Sequence, residues 1–87
     1  MLEFEYVVKD KVGLHARPAG IIVKAATPFA SQITLTNCDN GKRADAKKLF
    51  ALMNLGVKCG SAIKLTCDGS DEDTAMEKMK GIITENL

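Results

Sequence analysis

The 87-residue chain contains one histidine, His15, set between Gly13-Leu14 and Ala16-Arg17-Pro18-Ala19. Neutral imidazole is a nucleophile, and Arg17 adds a planar, permanently charged fork that matches phosphate or carboxylate oxygens bidentately. Pro18 suits a first helical turn, where its missing N–H would have no partner in any case. Ala19, Ile22, Val23 and Ala26 recur at i, i+3, i+4 and i+7 as one apolar helical stripe. The spacing therefore predicts a helix that starts near Ala16 or Arg17. His15 sits at its cap, where unpaired backbone N–H groups and the positive end of the helix dipole favour an anion. The chemistry that fits is transient holding of a phosphoryl group, with His15 as acceptor and Arg17 together with the N–H groups of Ala16 and Arg17 as stabilising donors. Taken alone, a histidine near a helix start is more often a cap or a packing residue; Gly13, Arg17 and Pro18 around it favour the functional reading.

The elements that must position this group follow from periodicity. Leu2, Phe4, Tyr6 and Val8 alternate with Glu3, Glu5, Val7 and Lys9, the pattern of a half-buried strand. Asp10 to Gly13 then turn the chain into the His15 loop, Gly13 supplying a tight or left-handed conformation. The first helix ends at Ala26 or Thr27, because Pro28 disfavours helical geometry in the residue before it. Along its outer side Arg17, Gly20, Ile21 and Lys24 share a stripe beside His15, either a solvated face or a docking surface.

Gln32 to Thr36 alternates again. Asn40-Gly41 marks a hairpin through the ready access of both residues to positive φ, and Lys42 to Ala46 forms the returning strand. Lys47 to Leu55 is expected to be a short helix with Gly56 past its end. Leu49, Phe50, Leu52, Met53 and Leu55 cannot all face the sheet from so short a helix, so part of this apolar set is exposed, as at an interface. Ala62 to Cys67 reads as a further strand, with Ile63, Leu65 and Cys67 on one face, and Asp68-Gly69 as a turn. Ser70 is expected to cap a last helix whose first turn carries Asp71, Glu72 and Asp73 and whose inner stripe is Ala75, Met76, Met79, Ile82 and Ile83. The order β-α-β-β-α-β-α predicts an α/β protein of the α+β type, an antiparallel sheet with its helices on one face.

Composition bounds what the domain can be. Eighty-seven residues suit a single domain spanning 1–87. With 46% hydrophobic residues, only 5% aromatic and no Trp, the core is mainly aliphatic. Twelve basic against 11 acidic residues leave a net charge of +1, which disfavours nucleic acid as a partner. No apolar run is long enough for a membrane span and no signal peptide is legible, so a cytoplasmic location is expected. Cys38, Cys59 and Cys67 are odd in number and lack metal-ligand spacing, which favours reduced thiols and no metal site. A conventional enzyme is disfavoured, since paired catalytic carboxylates are missing and so small a domain has little room for a deep pocket.

The run Gly13 to Ala19 resembles the active-site motif of the HPr family, histidine-containing phosphocarriers of the bacterial phosphoenolpyruvate-dependent sugar phosphotransferase system. Lys47 to Val57 (Lys-Lys-Leu-Phe-Ala-Leu-Met-Asn-Leu-Gly-Val) resembles the family's second-helix segment, which extends the likeness over nearly the whole chain. The resemblance implies an open-faced sandwich, a four-stranded antiparallel sheet with three helices on one face. It also implies that His15 accepts a phosphoryl group at Nδ1 from Enzyme I and passes it to sugar-specific acceptor domains, as a monomeric carrier with no cofactor and no metal of its own. Docking falls to Leu49, Phe50 and Met53 together with Gly20, Ile21 and Lys24 of the first helix.

The chain departs from the family pattern in places. Lys48 stands where many members carry a regulatory serine, so that phosphorylation is expected to be absent. Val12 replaces a common small polar residue, and Gly20 occupies a helical position where a side chain is usual, at a cost of about 1 kcal/mol relative to Ala. The connection between the middle strands is about two residues longer. These departures leave open two further readings, an HPr-like paralogue in a regulatory phosphorelay and a non-phosphorylated interaction domain; the intact His15 and Arg17 argue against the second.

Overall fold

In the computed structural model, which describes all 87 residues, the alternating first segment forms β1 (Leu2–Val7) with Leu2, Phe4 and Tyr6 half-buried and Glu3, Glu5 and Val7 exposed. It lies at one edge of a four-stranded antiparallel sheet completed by β2 (Gln32–Asn37), β3 (Arg43–Asp45) and β4 (Ala62–Asp68), in the order β1-β4-β2-β3. Register converts the sequence alternation into two unlike faces. Phe4, Leu65, Leu35 and Ala44 stand side by side across the four strands, and Leu2, Cys67 and Ile33 form the neighbouring row. The opposite face carries rows of Glu3, Thr66, Thr34 and Asp45, and of Glu5, Lys64, Thr36 and Arg43. Only the first face can gain from being covered.

Three helices cover it: α1 (Ala16–Ala26), α2 (Leu49–Met53) and α3 (Glu72–Asn86). Helix α1 buries Pro18, Ala19, Ile22 and Ala26, with Val23 partly buried, so its predicted stripe is its inner face. Helix α3 buries Ala75, Met79 and Ile83, with Met76 and Ile82 packed at the margin. Leu52 and Leu55, fully buried, join the same core. The result is the expected open-faced sandwich.

Local details differ from the sequence expectation. No residue other than glycine has positive φ, so the hairpin after β2 takes Gly41 alone into the left-handed region (φ 75°) and is not a two-residue Asn-Gly turn. Asx-type bonds set it instead: Asn37 Oδ1 accepts the Asp39 amide and Asn40 Oδ1 accepts the Lys42 amide. The regular part of β3 is shorter than 42–46, although the Ala46 amide still donates to Ile33. Helix α2 begins two residues later than expected, because the Asp45 side chain captures the Lys47 amide at 2.9 Å and leaves Lys48 extended as the cap. Past its end Gly56 does take positive φ (71°). Ser70 does not cap α3. Asp71 holds that position, and its carboxylate turns away from the helix to accept the amides of Ala30 (2.8 Å) and Ser31 (2.9 Å) and the Ser31 hydroxyl.

Candidate functional site

His15 is positioned from both sides of the sequence. Before it, Gly13 has φ 83°, and a Cβ there would lie 2.5 Å from the Val57 carbonyl oxygen and 2.7 Å from Lys58 Cα. Only glycine allows this loop to press against the segment after α2. The Leu14 amide donates to Val57 (3.1 Å) and the Leu14 side chain is buried, which anchors the residue next to His15 in the core. Further back, the Val8 amide donates to Ser61, the Gly60 amide to Val8, and the Lys9 and Asp10 amides to Leu87.

After it, α1 begins at Ala16, with His15 in extended conformation at the cap (φ −113°, ψ −172°). Its side chain makes no capping hydrogen bond, so the imidazole is not engaged by the helix end. The first helical amide to close is that of Ala19, on the His15 carbonyl (3.0 Å). Pro18 has no N–H. The unpaired donors of this helix end are therefore the amides of Ala16 and Arg17, a pair at the positive end of the helix dipole. Arg17 is exposed, and neither salt bridge of the structure engages it.

A shallow cleft of about 340 Å³ gathers Asp10, His15, Arg17, Pro18, Ile21, Glu85 and Asn86. His15 is 41% exposed at its side chain, open to a partner rather than enclosed. Its Nε2 edge faces Asp10, whose Oδ2 lies 3.9 Å away. The same Asp10 oxygen accepts the amides of Val12 (3.0 Å) and Gly13 (3.1 Å). An exposed nucleophilic ring, a free guanidinium and two unpaired amides at a helix N-terminus can receive a phosphoryl group and release it again.

Of the residues singled out in the sequence, His15, Arg17 and Ile21 share this cleft. Lys24 lies outside it, lining with Ile21 a second groove between α1 and α3 that also contains Phe29, Lys78 and Ile82. Gly20 is open, with nothing within 4 Å of the point where a methyl group would stand. On α2, which packs beside α1, Phe50 is 76% exposed and Met53 39%, while Leu49 is half-buried against the core. None of these three lines the His15 cleft. The sequence reading missed Asp10 and Glu85 as neighbours of His15. Asp10 carries a usable signal, an Asp three residues before a turn glycine; Glu85 carries none, because only the return of α3 over the sheet brings it there.

Elsewhere, burial pushes the Cys67 thiol up, and the carboxylates of Glu72 and Asp71 add to the rise. Cys38 and Cys59 are exposed, and all three cysteines are free. No helix is long and apolar enough to cross a membrane.

The chain matches the family model for the PTS HPr component phosphorylation site over residues 2–85. It is 39% identical over 80 residues to the phosphocarrier protein HPr of Mycoplasma capricolum, covering 92% of this chain and 88% of that one. It is 38% identical over 88 residues to the multiphosphoryl transfer protein of Salmonella typhimurium, covering 100% of this chain and 23% of that protein. Among solved structures it is similar to a mycoplasma histidine-containing phosphocarrier protein, with a TM-score of 0.90 at 34% identity over 97% of this chain and 93% of that chain. By its sequence, its fold and the motif around its one histidine, the chain belongs to the HPr family, phosphohistidine carriers of the phosphotransferase system that relay a phosphoryl group rather than catalyse a reaction of their own.

Proposed function

We propose that residues 1–87 act as one HPr domain in which His15 is the phosphoryl acceptor. The observation that carries this reading is the free, exposed imidazole at the cap of α1 beside the two unpaired amides of Ala16 and Arg17. The Nδ1 lone pair attacks phosphorus as the donor's bond to it breaks, and the electron pair of that bond returns to the donor. Ala16 and Arg17 amides and the Arg17 guanidinium take up the oxygens of the transferred group. They hold it at the protein surface, where water competes for the same bonds, so the group leaves again without a deep well to climb from. The reverse sequence delivers it to an acceptor.

The donor is Enzyme I and the acceptors are the sugar-specific domains of the phosphotransferase system, met in the cytoplasm. Docking uses Gly20, Ile21 and Lys24 of α1 with Leu49, Phe50 and Met53 of α2. The exposure of Phe50 and Met53 supports this, since large apolar side chains left in water on a small domain mark an interface. One copy suffices, because nucleophile, guanidinium and amides all come from one chain.

The test is incubation with phosphoenolpyruvate, magnesium and Enzyme I, followed by intact-mass analysis. The expected product carries one phosphate that is stable in base, labile in acid and absent from His15→Ala. A chain that stays unmodified with Enzyme I from its own source overturns the reading.

A further inference from the structure

We propose that Asp10 is a positioning residue for phosphoryl transfer: its carboxylate holds the proton on Nε2 of His15 and offsets the positive charge that the ring acquires when Nδ1 is phosphorylated. The inference rests on the reading of His15 as acceptor and names a partner for the ring that the motif itself does not contain.

The geometry is specific. Asp10 Oδ2 is fixed by the amides of Val12 (3.0 Å) and Gly13 (3.1 Å), and the Asp10 backbone is fixed in turn, its amide donating to Leu87 and its carbonyl accepting from Gly13. The carboxylate is thus held by the loop, and it stands 3.9 Å from Nε2. The His15 side chain makes no hydrogen bond to the helix end. Nothing else in the chain forms an ion pair with the imidazole.

Charge balance gives this contact a role. A neutral ring protonated on Nε2 attacks through Nδ1, the N–P bond forms and the donor's bond to phosphorus breaks. No proton leaves, so the ring becomes a phosphoimidazolium whose charge is shared with Nε2–H. In the onward transfer the N–P electron pair returns to Nδ1 and the ring leaves as neutral imidazole. If the Nε2 proton is lost in between, the leaving group is an imidazolate and transfer slows. At 3.9 Å the carboxylate favours the protonated ring through charge rather than through a hydrogen bond. The other charged groups facing the ring are Arg17 of α1 and Glu85 of α3, both lining the same cleft. Both are exposed, and Glu85 forms no ion pair with the ring.

The experiment compares the wild type with Asp10→Asn, which keeps a side-chain oxygen for the Val12 and Gly13 amides and removes the charge, and with Asp10→Ala, which removes both. Each protein is phosphorylated with Enzyme I and phosphoenolpyruvate, and loss of the phosphate is followed by 31P NMR across pH at low and high salt. A phosphohistidine hydrolyses faster with its ring protonated, so the pH profile reads the Nε2 proton directly. In Asp10→Asn the profile is expected to move to lower pH, because the protonated ring loses the carboxylate that faces it. The difference from wild type should shrink at high salt, as it must for a solvent-exposed pair. A profile for Asp10→Asn superimposed on that of the wild type, with only Asp10→Ala displaced or unstable, would reduce Asp10 to a loop clamp and overturn the inference. Absence of phosphate on the wild-type His15 would instead remove the acceptor reading, and the role of Asp10 with it.

Discussion

Gly13 and Val57 approach so closely that a side chain on Gly13 would begin 2.5 Å from the Val57 carbonyl oxygen. That contact locks the loop bearing His15 to the segment after α2, and so ties the proposed phosphoryl acceptor to the helix proposed to dock its partners. Gly13→Ala meets two penalties together, a positive φ and a collision with backbone. Its expected cost is about 2–4 kcal/mol in urea unfolding, from strain and overpacking combined, and phosphorylation of His15 should slow even in the fraction that remains folded. A loss below about 0.5 kcal/mol would mean that the loop can swing away from Val57 at little cost.

Asp71 makes the domain sensitive to acid. Its carboxyl is held below the usual carboxylate range chiefly by the hydrogen bond from the Ser31 hydroxyl, then by the Ala30 and Ser31 amides. A folded-state value below the unfolded one contributes stability that is fully present above the ordinary carboxylate pKa of about 3.9 and is lost as pH falls through the folded value. Asp71→Asn should therefore melt lower than wild type at pH 6 to 7, and the gap should close below about pH 4. A gap that stays constant down to pH 3 would assign the difference to the geometry of the Asn side chain and not to the Asp71 charge.

Part of this was legible in the sequence and part was not, for physical reasons that differ by residue. Periodicity is local, so the inner stripe of α1 and the alternation of β1 could be read from neighbours a few positions apart. His15, Arg17 and the Ala16 amide lie within one helical turn, so sequence order already fixes their proximity. Asp71 also lies at a helix start, as its type predicts, but its carboxylate is taken by Ala30 and Ser31 from across the chain, and no local pattern foretells a bond between residues 40 positions apart. The same holds for Glu85 in the His15 cleft. The hairpin departed from its Asn-Gly signal because the side chains of Asn37 and Asn40 bond to the backbone two residues on, an alternative that composition alone does not rank.

Glycines at Gly20 and Gly81 lie inside helices, at φ values open to any residue, with nothing within 4 Å of an added methyl. Replacing either by Ala should stabilise the domain by about 0.5–1 kcal/mol through helix preference. The two variants should then part company. Gly81→Ala is expected to be phosphorylated as the wild type, whereas Gly20→Ala, on the side of α1 proposed to dock, should raise the KM for phosphorylation by Enzyme I. Equal kinetics for both would free Gly20 from any requirement for close approach by a partner.

The cysteines should separate by environment. Cys67 is buried and its thiol is pushed up mainly by desolvation, which withholds the reactive thiolate. Brief alkylation of the folded chain should modify Cys38 and Cys59 and spare Cys67, with all three reacting in urea. Labelling of Cys67 at the rate of the other two would show that the sheet opens beneath α3 in the native state.

Phe50 and Leu52 place the last test on two residues of one short helix. Leu52 is fully buried, and Leu52→Ala should cost about 2–5 kcal/mol of stability, the range for an emptied aliphatic site. Phe50 is 76% exposed, so Phe50→Ala should leave stability within about 0.5 kcal/mol of wild type. Its effect belongs to the complex. An aromatic anchor buried only on docking is worth at least about 1 kcal/mol, which appears as a fivefold or larger rise in the Kd for Enzyme I. Phosphorylation at saturating Enzyme I should remain near the wild-type rate, since the ring of His15, Arg17 and the helix amides are untouched. Unchanged affinity with Phe50→Ala would remove α2 from the docking surface and confine it to the outer side of α1.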